Sequence, residues 1–235
     1  MTQPNTRRAA LRFALRQTLP ILTGFLFIGL GYGVYMNVLG FSFWYPLFMG
    51  ALIFGGSLEF VAATLLLSPF APIQTFLLAL MIQARHVFYG LSMFEKYGGT
   101  GWKKPYLIFG MCDESFAINY TTKVPPDIDA GWFMFFVTLL NHIYWITGAT
   151  LGGLVGGSLP FNTDGISFVM TAMFVVIFIE QWMNDPQHYT AVLGLGAASL
   201  CLAVCGRDAF MIPTMLVILV VCLLSRPYLE RRAAQ

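Results

Sequence analysis

Long apolar stretches alternate with short polar ones along almost the whole chain. A helix needs about 20 apolar residues to cross a hydrocarbon core. Measured against that length, the candidate spans are 19–39, 43–67, 72–94, 105–121, 131–157, 165–184, 188–205 and 209–225. The pattern predicts an all-α fold, a polytopic membrane bundle of seven or eight transmembrane helices, with eight favoured. Two places are imperfect. The fourth stretch is short and carries Asp113 and Glu114 near its middle. The seventh and eighth are separated only by Gly206-Arg207-Asp208, so one of them reads as a half-helix or a bend. The first stretch follows basic residues as a signal peptide would, but it is too long for an h-region and no cleavage site follows it. It reads as the first membrane helix.

Composition and charge sharpen this picture. The chain is 57% hydrophobic and 10% charged, whereas a soluble domain carries about 25% charged residues to cover its surface. Arg7, Arg8, Arg12 and Arg16 precede the first span, and Arg226, Arg231 and Arg232 follow the last. Basic residues flanking apolar spans mark the cytoplasmic side. Both termini are therefore expected in the cytoplasm, with an even number of crossings between them. The expected organisation is a basic segment 1–18, a transmembrane domain 19–225 and a basic tail 226–235. Because the basic clusters abut apolar spans, they point to a bilayer and not to nucleic acid. One loop resists the count: Lys96, Lys103 and Lys104 fall outside in an eight-span arrangement. Either the fourth stretch is re-entrant or the charge rule is broken there. Cys112, Cys201, Cys205 and Cys222 lie in or beside apolar stretches without a Cys-x-x-Cys pair, and read as small buried residues.

Glycine spacing adds a packing expectation. Gly29 with Gly33, Gly148 with Gly152, and Gly153 with Gly157 are small-xxx-small pairs, which let helices approach closely in lipid. A faint internal repeat also shows. Gly40-Phe41-Ser42-Phe43 resembles Gly165-Ile166-Ser167-Phe168, and Arg85 with Phe88 resembles Arg207 with Phe210. Halves 19–94 and 131–225 would fit a transporter built by duplication.

Glu59, Arg85, His86, Asp113, Glu114 and Glu180 fall inside the spans and not in loops or tails. A charge at the bilayer centre costs about 2.5–3.5 kcal/mol on insertion scales, so such residues belong inside a bundle or a wet cavity. In Phe54-Gly55-Gly56-Ser57-Leu58-Glu59-Phe60, two glycines and a serine permit an unwound turn. A half-helix starting near Ser57 would present a positive dipole end suited to a carboxylate. Glu59 in its first turn either caps the break or takes a direct part. Gly55, Gly56, Ser57 and Glu59 are thus candidate substrate contacts.

Gln83, Arg85 and Tyr89 join them, since Arg85 and Tyr89 share a helix face. Arg85 stays charged and needs a carboxylate from Glu59, Asp113, Glu114 or a substrate. Proton coupling would fall to Glu59, His86, Asp113 and Glu114. Asp113 and Glu114 point about 100° apart on a helix, so one of them is expected to face Arg85. Neither a metal-ligand spacing nor a nucleophile elbow is present, so no metal, no cofactor and no catalytic residue is expected. Trp145 and Trp182 read by default as membrane-interface residues.

These residues also resemble a known family, the AzlC-like (azaleucine resistance, YgaZ-like) branched-chain amino acid permeases. The resemblance is carried by Gly40-Phe41-Ser42, Phe54 to Phe60, Arg85-His86 with Tyr89-Gly90-Leu91-Ser92, and Asp113-Glu114-Ser115-Phe116-Ala117. It implies the large subunit of a two-component exporter of valine, leucine, isoleucine and methionine. It also implies a small AzlD/YgaH-like membrane subunit as partner, in a bacterial inner membrane. Assembly of that heterodimer into a homo-oligomer is compatible with it. The chain departs from the family pattern at Glu59, where glutamine is usual, and at Gln83, where asparagine is usual. The rival expectations are a carrier of another small solute, a membrane-embedded enzyme, and a non-transporting assembly subunit. With no Walker A motif, direct ATP coupling in this chain is not expected.

Overall fold

A computed structural model describes residues 4–83, 85–157, 175, 178, 179, 182, 183, 188–206, 210, 213, 214, 216–218, 220, 221 and 224. The chain forms two compact units, Met1–Thr171 and Ala172–Gln235. In the first, the helices are α1 (Pro4–Val38), α2 (Trp44–Leu52), α3 (Ser57–Leu66), α4 (Pro72–Ile82), α5 (Arg85–Met93), α6 (Lys104–Phe109), α7 (Asp113–Thr121) and α8 (Ala130–Gly156). In the second, the described helix is α9 (Tyr189–Cys205), with the Trp182 indole stacked on the His188 ring at 4.0 Å. No strand occurs among the described residues.

The first unit is built on α1 and α8, which run parallel in contact along their length. Arg7 lies over the Trp132 ring at 4.4 Å and Phe13 meets Phe133 at 5.1 Å. Further along, Thr18 Oγ1 is 3.3 Å from the Tyr144 hydroxyl and Asn37 donates to the Gly153 carbonyl at 3.2 Å. Glycine permits this closeness. A Cβ on Gly33 would come within 2.1 Å of the Ala149 carbonyl oxygen, and one on Gly152 within 2.2 Å of the Leu30 carbonyl oxygen. Helix α1 has 35 residues, about 50 Å at 1.5 Å per residue. Residues 4–18 therefore continue the first span as one helix.

Two of the predicted spans are each folded as a pair of short helices and not as one continuous helix. Residues 43–67 form a hairpin, α2–α3, entered from the end of the α1/α8 pair that holds Asn37. Phe43 and Pro46 lie against Gly153, Gly50 against Trp145, and the Phe54 ring against His142. The chain then turns back. Glu59 is level with Trp145, and Phe60 packs on Tyr32 and Tyr35 at 5.0 and 5.7 Å. Residues 105–121 form the second hairpin, α6–α7, entered from the basic end. Lys103 lies over Trp132 at 4.6 Å, Gly110 abuts Thr138, and α7 returns until Lys96 caps the carbonyls of Asn119 and Tyr120.

Between the hairpins, α4 and α5 are bent by 56° at their junction. Helix α5 runs to the basic end, where Met93 and Tyr97 join Ala10, Ala14, Leu107, Phe133 and Val137 in one buried cluster.

The second hairpin resolves the misplaced lysines. Lys96, Lys103 and Lys104 precede a segment that enters and leaves on one side, so they lie at the same end as Arg7. Among the described residues, two helices are long and apolar enough to cross a membrane, or three if the bent pair is one span. The expected seven or eight are not confirmed among the described residues. Hydropathy counts apolar residues, and a hairpin of two half-helices supplies as many as a crossing does. Most of 165–184 and 209–225 lies outside the described residues, as do Glu180, Cys222 and both second members of the internal repeat, Gly165 to Phe168 and Arg207.

Candidate functional site

Three helix interruptions meet inside the first unit: Ile53–Gly56 between α2 and α3, Gln83 at the end of α4 before α5, and Gly110–Cys112 between α6 and α7. The first has a local cause. Phe54 takes φ +46°, the one positive φ outside glycine among the described residues, and Gly56 takes φ +45°. A phenylalanine held there is strained by about 1–3 kcal/mol, a cost found where surrounding packing fixes a functional turn. Helix α3 starts at Ser57, as the Gly-Gly-Ser sequence predicts, with Gly56 as N-cap.

Glu59 closes this turn. Its side chain is fully buried, and Oε1 accepts the Gly55 N–H at 2.9 Å. The Trp145 indole donates to both carboxylate oxygens, at 3.0 and 3.1 Å. Among the described residues, no cation pairs with it. Trp145 is thus a core residue, 4% exposed, and not the interface anchor that its residue type suggested. Its ring also stacks on Tyr32 at 6.0 Å.

The second interruption touches the first through Gln83, whose amide donates to the Gly55 carbonyl at 3.3 Å. Two residues on, Arg85 opens α5 and pairs with Asp113 at 2.9 Å. Asp113 opens α7, so the ion pair joins the second interruption to the third. Tyr89, one turn beyond Arg85, stacks on Phe116 of α7 at 4.3 Å. The expected shared face of Arg85 and Tyr89 is therefore the face turned to α7. Of the carboxylates considered for Arg85, it is Asp113 that takes it. Glu114 sits half-buried in the same first turn, beside the Cys112 thiol. His86 packs edge-on to Tyr89 at 5.6 Å.

Four buried polar atoms around this junction make no hydrogen bond among the described residues: Gln83 Oε1, His86 Nδ1, Asp113 Oδ1 and Asn141 Oδ1. Three of them are oxygens that can only accept. Leaving such an atom unpaired costs about 1–3 kcal/mol, so the junction is chemically suited to a group rich in N–H donors.

Sequence reasoning missed the polar face of α8, which reaches the site through Asn141. Asn141 donates to Ser115 Oγ at 3.1 Å. His142 bridges Tyr106 of α6 and the Gly50 carbonyl of α2, at 3.0 and 3.2 Å. Thr138, Asn141, His142 and Trp145 fall at helical spacing within an otherwise apolar span. That spacing was the available signal. Among the described residues, no group of three or more His, Cys, Asp or Glu could hold a metal ion.

Comparison with known proteins places this arrangement. The family model described as AzlC protein matches residues 20–159, the stretch that contains all three interruptions. The chain belongs to the AzlC family. Among AzlC relatives, the branched-chain amino acid transport protein AzlC of Bacillus subtilis is 57% identical over 95% of this chain and 88% of its own length. An uncharacterized membrane protein of Haemophilus influenzae is 50% identical over 92% and 88%. The inner membrane protein YgaZ of Escherichia coli is a distant AzlC relative, 23% identical over 94% and 90%. No solved structure matches the chain.

Proposed function

We propose that this chain is a secondary transporter exporting branched-chain amino acids, driven by protons, as the large subunit of a two-component system with a small AzlD/YgaH-like partner in a bacterial inner membrane. The observation that carries this reading is the meeting of three helix interruptions at a set of unpaired acceptor oxygens. A zwitterion has complementary needs. Its ammonium supplies three N–H donors for Gln83 Oε1, Asp113 Oδ1 and Asn141 Oδ1. Its carboxylate suits the start of α3 at the Ser57 N–H, where the helix dipole is positive. Phe54, Tyr89 and Phe116 provide apolar surface for a branched side chain. In this assignment Arg85 holds Asp113 in place, and Glu59 fixes the turn from which α3 starts.

The name of the Bacillus subtilis relative supports the substrate class. Radiolabelled valine efflux from cells carrying this gene, with and without the small partner and at two external pH values, tests the whole proposal. The proposal predicts efflux that needs both subunits and responds to pH. Equal efflux in the presence and absence of this chain contradicts it. Counterflow with a panel of amino acids separates branched-chain transport from carriage of another small solute.

A further inference from the structure

The structure assigns His142 a role of its own: we infer that it is the proton-dependent link between the two hairpins. The inference rests on the transport reading above, but its geometry is independent of the substrate junction. His142 lies mid-way along α8, 8% exposed. One ring nitrogen, Nε2, is 3.2 Å from the Gly50 carbonyl of α2. The other, Nδ1, is 3.0 Å from the Tyr106 hydroxyl of α6. Phe54, at the tip of the first hairpin, lies 4.5 Å from the ring centre, and Phe109 of the second lies 5.8 Å away. The hairpin entered from one side and the hairpin entered from the other thus converge on a single imidazole.

The partners fix the tautomer. A carbonyl oxygen only accepts, so Nε2 carries the proton and donates to Gly50. In the neutral ring Nδ1 must then accept from the Tyr106 hydroxyl. Protonation at Nδ1 reverses that bond. Tyr106 has to accept in its turn, and its own O–H is left without a partner, because His142 is its one hydrogen-bond partner among the described residues.

The new charge also lacks a counter-ion. The titratable group facing the ring from α6 is Tyr106, α2 presents the Gly50 and Ala51 carbonyls, and no charged side chain among the described residues is an electrostatic neighbour of it. A charge enclosed there is costly unless the hairpins part and admit water. Proton occupancy of His142 therefore selects between a closed contact of the hairpins and an open one, which is the coupling that an alternating-access carrier requires. His142 acts through the hairpins and touches no substrate, so it is a positioning residue.

The test compares wild type with His142→Gln and Tyr106→Phe in proteoliposomes, reading leucine counterflow and pH-gradient-driven net flux side by side. His142→Gln should keep counterflow within about twofold, lose the gradient response by about tenfold or more, and flatten the pH profile of exchange. Tyr106→Phe should move the midpoint of that profile without flattening it. A His142→Gln protein with an unchanged gradient response, or one that is folded yet loses counterflow, overturns the inference.

A second readout needs no substrate. With the four native cysteines replaced, cysteines at Ala51 and Phe109, one on each hairpin beside the His142 ring, should be joined by a short bifunctional thiol reagent in a yield that falls more steeply at low pH with His142 present than with His142→Gln. A yield indifferent to His142 overturns the inference as well. If wild type shows no leucine counterflow while the cross-link still responds to pH through His142, the transport reading fails and the link stands.

Discussion

The indole of Trp145 donates to both oxygens of the Glu59 carboxylate, at 3.0 and 3.1 Å, across the gap between α8 and the first turn of α3. The Gly55 N–H donates to the same carboxylate, so this contact ties the interruption at 53–56 to the long helix α8. Trp145→Phe removes the donor while keeping an aromatic ring. It should destabilise the protein by about 1–3 kcal/mol, the cost of an unsatisfied buried acceptor. Glu59→Gln should reduce that cost, because a neutral amide loses less when half-paired. Thermal unfolding in detergent of both single variants and the double variant measures the coupling; strictly additive effects would count against the assignment.

Arg85 and Asp113 join two interruptions through one ion pair. Removing either partner leaves an uncompensated charge, at about 2.5–3.5 kcal/mol on insertion scales. Arg85→Ala and Asp113→Ala should each lower the yield of folded protein, and the double variant should recover much of it. Transport should stay low in all three, since Asp113 Oδ1 is assigned to the substrate ammonium and Arg85 holds Asp113 in place. Size-exclusion profiles and valine efflux at matched expression separate the two effects.

The glycines of α1 divide into two groups. Nothing lies within 4 Å of a Cβ built on Gly24 or Gly31, whereas Gly29 and Gly33 face the backbone of α8. Gly31→Ala should be neutral or stabilising by up to about 1 kcal/mol from helix propensity. Gly33→Ala should destabilise by about 1–3 kcal/mol or more, because backbone cannot yield as a flexible side chain can. Melting temperatures of the two variants, measured together, decide this.

The hairpin arrangement predicts sidedness. Single cysteines at Lys103 and Lys123, on the two flanks of α6–α7, should both react with an impermeant maleimide from the side that exposes the N-terminus. Cysteines at Ser42 and Ser68, flanking α2–α3, should both react from the opposite side. Opposite sidedness of the two positions within either pair would restore a simple crossing.

The turn at 54–57 was legible because glycines and a serine interrupt an apolar run, and the Arg85–carboxylate pair because a permanent charge in lipid demands a partner. The interruption that follows Ile82 has no glycine or proline beside it, so the sequence held no local mark of it. Re-entry of 105–121 left its trace in charge alone, at Lys96, Lys103 and Lys104. His142 and Trp145 were hidden by the apolar average of their helix. Only their spacing with Thr138 and Asn141 distinguishes a buried polar face from scattered polar residues.

Leucine counterflow in proteoliposomes is the direct test of a substrate site at the three interruptions. Gln83→Ala and Asp113→Asn should raise the leucine concentration for half-maximal exchange by about tenfold, the effect of about 1.4 kcal/mol lost at an ammonium contact. Lys123→Ala, exposed at the far end of α7, should behave as wild type. Wild-type affinity in both junction variants would contradict the account.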